Sequence, residues 1–326
     1  MSSVDSNTQN IQASLLQTDF VDLYLGQDYA EMRQSGGTQA PTSPLNGHLY
    51  RQAMALRYLC SSQRKKLGFD DEFTLVVETS LFRVTTLHPY GEEPIYVLRR
   101  CNIRTHDMEN LGFSSPVIDS LLDRSSSGLV VVCGEMSSGK TSTAASIVQA
   151  RLKTLGGLAV AVEDPIETRL GGVHGTGRCV QIRASLKSGG YKEHLITAMR
   201  TGAEQILIGE TRDEETAYEV AKASLNGHFI ITTVHAGSIE QAIERLVTMC
   251  RGHHPEIAGV LADGLKCVIH QRLVIQNDKP QLRSSTLLLS DQKLGPGIRE
   301  RIRQERYNQL QDLIKQQANS YIHGES

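Results

Sequence analysis

The chain has 326 residues, 39% of them hydrophobic, with a formal net charge of −2, so it is long enough for two ordinary domains with apolar cores. A pI near 6.6 excludes a protein held on nucleic acid or anionic lipid by bulk charge. Cys60, Cys101, Cys133, Cys179, Cys250 and Cys267 form no C-x-x-C pair, which argues against a zinc site or redox dithiol and for reduced cytosolic thiols.

Residues 1–13 are polar and are expected to be disordered, without the basic start and apolar centre of a signal peptide. No apolar run approaches the ~20 residues that span a bilayer, so any membrane role is expected to be carried by partners. A short apolar run, Phe20 to Leu25, precedes a loop rich in Gly, Ser and Pro from Gln34 to Pro44. A helix is expected over Leu49 to Lys66, then strands over Phe73 to Val77, Leu81 to Leu87 and Ile95 to Arg99. These elements make a small α+β domain over residues 14–104. The polar segment 105–116, ending at Pro116, is expected to link it to a second domain, 117–326.

Beyond that boundary, nearly continuous apolar runs predict buried strands of a mostly parallel sheet: Leu129 to Cys133, Leu158 to Val162, Ile206 to Ile208 and Phe229 to Val234. Helices are expected over Thr141 to Leu155, stopped by Gly156 and Gly157, and over Glu214 to Leu225, stopped by Asn226 and Gly227. Strands alternating with helices imply an α/β architecture. The four glycines of Gly171 to Gly177 read as a flexible linker within this domain, and the charged tail Gly297 to Gln317 is helical in pattern.

The run Gly134-Glu135-Met136-Ser137-Ser138-Gly139-Lys140-Thr141 lies between the first of those strands and the first of those helices. That context makes it a phosphate-binding P-loop. Its glycines, with Ser137, Ser138 and Ser142 beside them, let backbone N–H groups close round phosphate oxygens at a helix start. Lys140 can reach the β and γ phosphates, and the Thr141 hydroxyl can ligate Mg²⁺. Three later segments narrow the chemistry. In Val162-Glu163-Asp164-Pro165-Ile166-Glu167 a carboxylate at a strand exit can accept a proton from water, or can be a surface acid. In Ile206-Leu207-Ile208-Gly209-Glu210 an apolar strand ends in an acid, the arrangement that holds Mg²⁺ directly or through water. His228 and His235 bracket the strand Phe229 to Val234, about 23 Å apart if it is fully extended, too far to share one metal ion. Each can hydrogen-bond phosphate or sense nucleotide state, or be a satisfied core histidine.

Taken in order, these segments resemble the Walker A, Asp box, Walker B and His box of the hexameric secretion and retraction ATPases of type IV pili and of type II and type IV secretion systems. Asp22-Leu23-Tyr24-Leu25 resembles the opening strand of that family, and Gln271-Arg272-Leu273 matches a run after its His box. The run Gly297-Ile298-Arg299-Glu300-Arg301-Ile302-Arg303 looks like the helical motif of the retraction branch. Within the family the chain looks most like the DotB and TraJ ATPases of type IVB secretion and conjugation.

The resemblance implies a PAS-like α+β N-terminal domain joined flexibly to a RecA-like P-loop ATPase domain, six subunits in a ring, and nucleotide between the two domains. It implies ATP and Mg²⁺ as ligands, Glu163 activating water, Glu210 organising the metal, and His228 and His235 linking nucleotide state to movement. It also implies that Arg83 and Arg99 approach the phosphates; read alone, both are solvated strand residues. A homohexamer in the cytoplasm, recruited to the inner membrane by secretion or pilus machinery, is expected. One departure stands out: Gly202-Ala203-Glu204-Gln205 replaces the Asp-Pro-Asp run that many relatives carry before Walker B. Two rival readings are a RecA-like nucleic-acid motor and a non-enzymatic adaptor. Direct nucleic-acid binding is not expected, because the chain lacks Trp and a basic surplus.

Overall fold

A computed structural model describes residues 15–34, 41–101, 105–185, 188–276 and 279–323. The expected disordered segment 1–13 lies outside them, as does most of the loop after Gln34. The described chain divides into two compact units, one drawn from residues up to Cys101 together with Pro165–Glu167, the other from Thr105 onward without those three.

In the first unit, strands β1 (Asp22–Leu25), β2 (Ala30–Arg33), β3 (Thr42–Pro44), β4 (Glu72–Val77), β5 (Ser80–Leu87) and β6 (Ile95–Cys101) form a sheet in the order β3-β2-β1-β6-β5-β4. Every pairing is antiparallel. Side chains alternate across such a sheet, so the register Met32–Leu23–Leu98–Val84–Phe73 is one apolar row. These residues are buried in one cluster with Ala53, Leu56 and Cys60 of helix α1 (Gly47–Lys66). The next row, Arg33–Asp22–Arg99–Arg83, falls on the opposite face.

The second unit is built on an eight-stranded mixed sheet. Its strands are β7 (Gly128–Gly134), β8 (Gly157–Glu163), β9 (Gly172–His174), β10 (Gly177–Arg183), β11 (Gln205–Ile208), β12 (Phe229–His235), β13 (Leu265–Gln276) and β14 (Lys279–Leu288), in the order β14-β13-β7-β12-β11-β8-β10-β9. The strands from β13 to β10 run parallel, and the two edge pairings are antiparallel. Both faces are buried: Leu129, Val131 and Cys133 enter one core cluster, and Val130 and Val132 enter the other. This two-sided burial is why β7 reads as an uninterrupted apolar run.

Helix α2 (Ser115–Leu122) precedes β7, and α3 (Lys140–Leu155) follows it; both pack on the second cluster. Helices α4 (Gly190–Met199), α5 (Glu214–Ala223), α6 (Ile239–Cys250) and α7 (Ile257–Gly264) supply the first. No described helix is long and apolar enough to cross a membrane.

Two expectations are corrected, and the helical tail is found with a break in it. Residues 105–116 are not a bare linker, because Met108 and Leu111 are buried in the second unit's core on a short 3-10 turn. The glycine-rich stretch 171–177 is a β9–β10 hairpin, in which Val173 pairs Arg178 and Cys179 pairs Gly172. Gly175, at φ +61°, makes its turn. The tail is two helices, α8 (Gly295–Arg303) and α9 (Leu310–His323). Between them Glu305 takes φ +56°, which a continuous helix does not tolerate.

Candidate nucleotide site

The P-loop forms because β7 stops at Gly134 and α3 starts at Lys140, leaving five residues to reverse the backbone. Gly139 caps the helix at φ +87°, and Ser137 occupies the left-handed region at φ +60°. A Cβ on Gly134 would lie 2.3 Å from the Gln271 carbonyl oxygen, so only glycine fits. The first amides of α3 have no partners within the helix, and they gather positive potential where the loop closes. Thr141 and Ser142 sit half-buried in that first turn.

Lys140 is 7% exposed, and burial holds its ammonium below the ordinary lysine value, offset by attraction to Glu210. Its Nζ donates to the Glu135 carbonyl at 2.7 Å and stands 3.2 Å from His235 Nδ1. On its other side, His235 Nε2 lies 3.3 Å from Glu210 Oε1. An ammonium only donates and a carboxylate only accepts. The imidazole between them is therefore neutral, accepting at Nδ1 and presenting an N–H at Nε2 on the Glu210 side. Burial first and Lys140 second push His235 below the ordinary histidine value, against the opposing pull of Glu210.

Glu210 is held beside the end of β12 by bonds on both sides of it. The Thr233 hydroxyl donates to Gly209 O at 2.6 Å, and Thr211 N donates to Thr233 O at 2.9 Å. Sheet order does the rest: β7, β12 and β11 are adjacent and parallel, so Gly134, His235 and Glu210 all arrive at the same edge. Ligands bind at that edge of such sheets.

Glu163 ends β8 at the same edge, but it is only 2% exposed. Thr168 Oγ1 and Gln181 Nε2 each donate to its Oε1 at 2.8 Å, and Thr168 N donates to Oε2 at 3.3 Å. The Glu163 carboxylate is thus satisfied by protein donors. One expected residue of the second unit does not reach the P-loop edge. His228 precedes β12 at the opposite end, with Nδ1 3.1 Å from Ala203 O. In the first unit, Arg99 makes two bonds to buried Asp22, at 2.8 and 3.2 Å, and Asp22 raises its pKa. Arg83, its neighbour across β5 and β6, lies 4.0 Å from Glu72.

A family model described as "Type II/IV secretion system protein" matches residues 50–313. The chain belongs to that family. Type II secretion system protein E of Pectobacterium carotovorum subsp. carotovorum is 35% identical over 196 residues, 59% of this chain and 37% of that protein. Of the curated relatives it matches first, the chain spans between 37% and 58% of the length. Two crystal structures share the fold. The pilus retraction motor PilT with bound ADP gives a TM-score of 0.75 at 22% identity, over 93% of this chain and 87% of that one. The Legionella pneumophila ATPase DotB gives 0.71 at 18% identity, over 96% and 87%.

For a type II/IV secretion system protein, the residues present fit a magnesium ion that arrives with phosphate. Among the described residues no group of three or more His, Cys, Asp or Glu could hold a metal alone. Mg²⁺ takes one or two protein oxygens and completes its shell with phosphate and water; Thr141 Oγ1 and the 28%-exposed Glu210 carboxylate are the oxygens at hand. Sequence reasoning missed the supports of Glu163, Thr168 five residues on and Gln181 on β10, because neither carries a motif of its own. It also missed Arg245, whose Nη1 donates to His235 O at 3.2 Å and which lines an open depression of about 760 Å³ with Arg212 and Asp213. Gln271 was visible only as part of a motif.

Proposed function

We propose that this chain is an ATPase that hydrolyses ATP to ADP and phosphate and drives a type IV secretion system of the IVB or conjugative kind. The observation that carries the reading is the Lys140–His235–Glu210 line, which joins the P-loop lysine to the acid after β11 through one neutral histidine. Membership of the secretion family and the fold likeness to PilT and DotB support it. The second unit acts as a RecA-like ATPase domain and the first as a PAS-like domain. The working form is a homohexamer in the cytoplasm, recruited to the inner membrane by secretion or pilus machinery.

Phosphate arriving at the loop competes for Lys140, drawing its ammonium from the Glu135 carbonyl and from His235 Nδ1. His235 and Glu210 are then free to rearrange, so phosphate occupancy is passed to β11 and β12. Water attacks the γ-phosphorus, the bond to the β–γ bridging oxygen breaks, and its electron pair leaves with ADP. Glu163 takes the water's proton, exchanging a donor, Thr168 or Gln181, for it. Mg²⁺, held by Thr141 and Glu210, supplies neutralisation of the phosphate charge when bound. His228 transmits strand movement at the other end of β12, and Arg83 and Arg99 approach the phosphates once Arg99 leaves Asp22.

Purified full-length chain should release phosphate from ATP in the presence of Mg²⁺, and Lys140→Ala should not. Full hydrolysis by Lys140→Ala would overturn the site; mass measurement with an ATP analogue tests the ring. The fold likeness to PilT favours a second reading, pilus retraction. A deletion that abolished twitching and left secretion intact would establish the second reading over the first.

A further inference from the structure

We infer that Gln271 is a positioning residue for phosphate binding: through its side-chain amide it aims the Gly139 N–H into the P-loop. The inference rests on the nucleotide reading above and goes beyond it in assigning a residue from another strand.

Gln271 lies on β13, one residue past the last register pair that β13 makes with β7, His270 with Cys133. It is fully buried, and its Nε2 donates to Ser138 O at 2.6 Å across 133 residues of sequence. A trans peptide points its C=O and the following N–H in opposite directions. Tying the Ser138 carbonyl to β13 therefore turns the Gly139 N–H away from β13, toward the loop's concave side. The Gly139 backbone at φ +87° leaves little room for a larger residue there, since a Cβ would sit 3.2 Å from Gln271 Nε2. The Gln271 backbone takes part as well, because its carbonyl is the atom that a side chain on Gly134 would strike. Residue 271 thus meets the loop at both ends, and its side-chain amide bonds it at one.

Two further atoms at this contact have bonding capacity that the loop itself does not use. Among the described residues, Gln271 Oε1 and Ser138 Oγ are both buried without a hydrogen-bond partner. Leaving a buried acceptor and a buried hydroxyl unsatisfied is costly, and a purely structural glutamine at this place has no need of it.

The test uses the full chain with MANT-ADP and Mg²⁺ as probe. Gln271→Met keeps the volume and removes the donor, and Gln271→Asn keeps the amide but is one methylene too short to reach. Each should weaken MANT-ADP binding about tenfold, the scale of one lost buried hydrogen bond. KM for ATP should rise more than kcat falls, at a temperature where circular dichroism shows both variants folded. Binding within twofold of wild type by either folded variant overturns the inference. A second readout needs no nucleotide: amide exchange over residues 134–141 should quicken in Gln271→Met or Gln271→Asn while β12 is unchanged, and equal exchange also overturns it. If wild type itself fails to bind MANT-ADP, the nucleotide reading fails, and the exchange result still decides the brace.

Discussion

Lys140 Nζ and His235 Nδ1 stand 3.2 Å apart although 95 residues separate them in the chain. Parallel pairing of β7 with β12 sets Gly134 opposite His235, and α3 carries the lysine back over that end of the pair. A buried ammonium is expensive unless it is bonded, and here the Glu135 carbonyl and a neutral imidazole hold it.

Removing that ammonium should cost more than any other single change at the loop. Lys140→Ala is expected to lower ATP hydrolysis by about a hundredfold or more, the scale for losing one preorganised charge-stabilising donor. Folding should be kept, since the lost group is a charge whose burial opposes its ionisation. Phosphate release measured beside a thermal melt checks both halves.

His235 gives the site an acid limit. Its folded-state pKa lies below the ordinary 6.5, so the unfolded chain takes up this proton first as pH falls. Its contribution to stability is present above 6.5, and it is lost as pH drops from 6.5 through the lowered folded value. Protonation also places an N–H at Nδ1 against Lys140. Hydrolysis is therefore expected to decline on the acid side, and His235→Gln should abolish that limb of the pH–rate profile while lowering the plateau. An unchanged profile in the variant would remove His235 from the line.

The two acids should separate by metal dependence. Glu210→Gln and Thr141→Ala are expected to raise the Mg²⁺ concentration needed for half-maximal hydrolysis several-fold, and chelation by EDTA should stop hydrolysis in wild type. Glu163→Gln should lower kcat without moving the Mg²⁺ requirement, because its carboxylate is held by Thr168 and Gln181. Titration of rate against Mg²⁺ in each variant decides.

Gly134→Ala tests the loop's packing. The added Cβ meets a backbone oxygen at 2.3 Å and the Ser138 hydroxyl oxygen at 2.6 Å, and a backbone oxygen cannot swing aside. A loss of about 2 kcal/mol or more is expected from overpacking, seen as a melting temperature lower by roughly 4–8 °C in a unit of this size.

Asp22 is 1% exposed, with Arg99 bonded to it and Arg33 3.5 Å away. Asp22→Ala should destabilise the chain by about 1–2 kcal/mol, less than a fully buried pair because Arg99 is mostly exposed. If Arg99 must leave Asp22 to reach phosphate, the same variant should hydrolyse ATP no more slowly than wild type at a temperature where it is folded.

Much of this protein can be read without coordinates. The P-loop is legible because its chemistry needs particular residues at fixed local spacing, and strands β7, β8, β11 and β12 are legible because burial on both faces demands continuous apolar runs. Strands β9 and β10 escaped because the glycines around their turn read as a linker, and the break at Glu305 escaped because a helical pattern does not show a single left-handed residue. Which acid faces the loop, which histidine does, and what Gln271 touches depend on strand order and register. Those are set by long-range pairing of the sheet: the sequence puts His228 and His235 at opposite ends of one strand, and pairing of β12 with β7 decides that it is the His235 end that meets the loop. Local chemistry determined that the chain carries a phosphate loop. Only the tertiary structure decided which distant side chains stand beside that loop, because parallel strands bring their ends together over separations that no local spacing encodes.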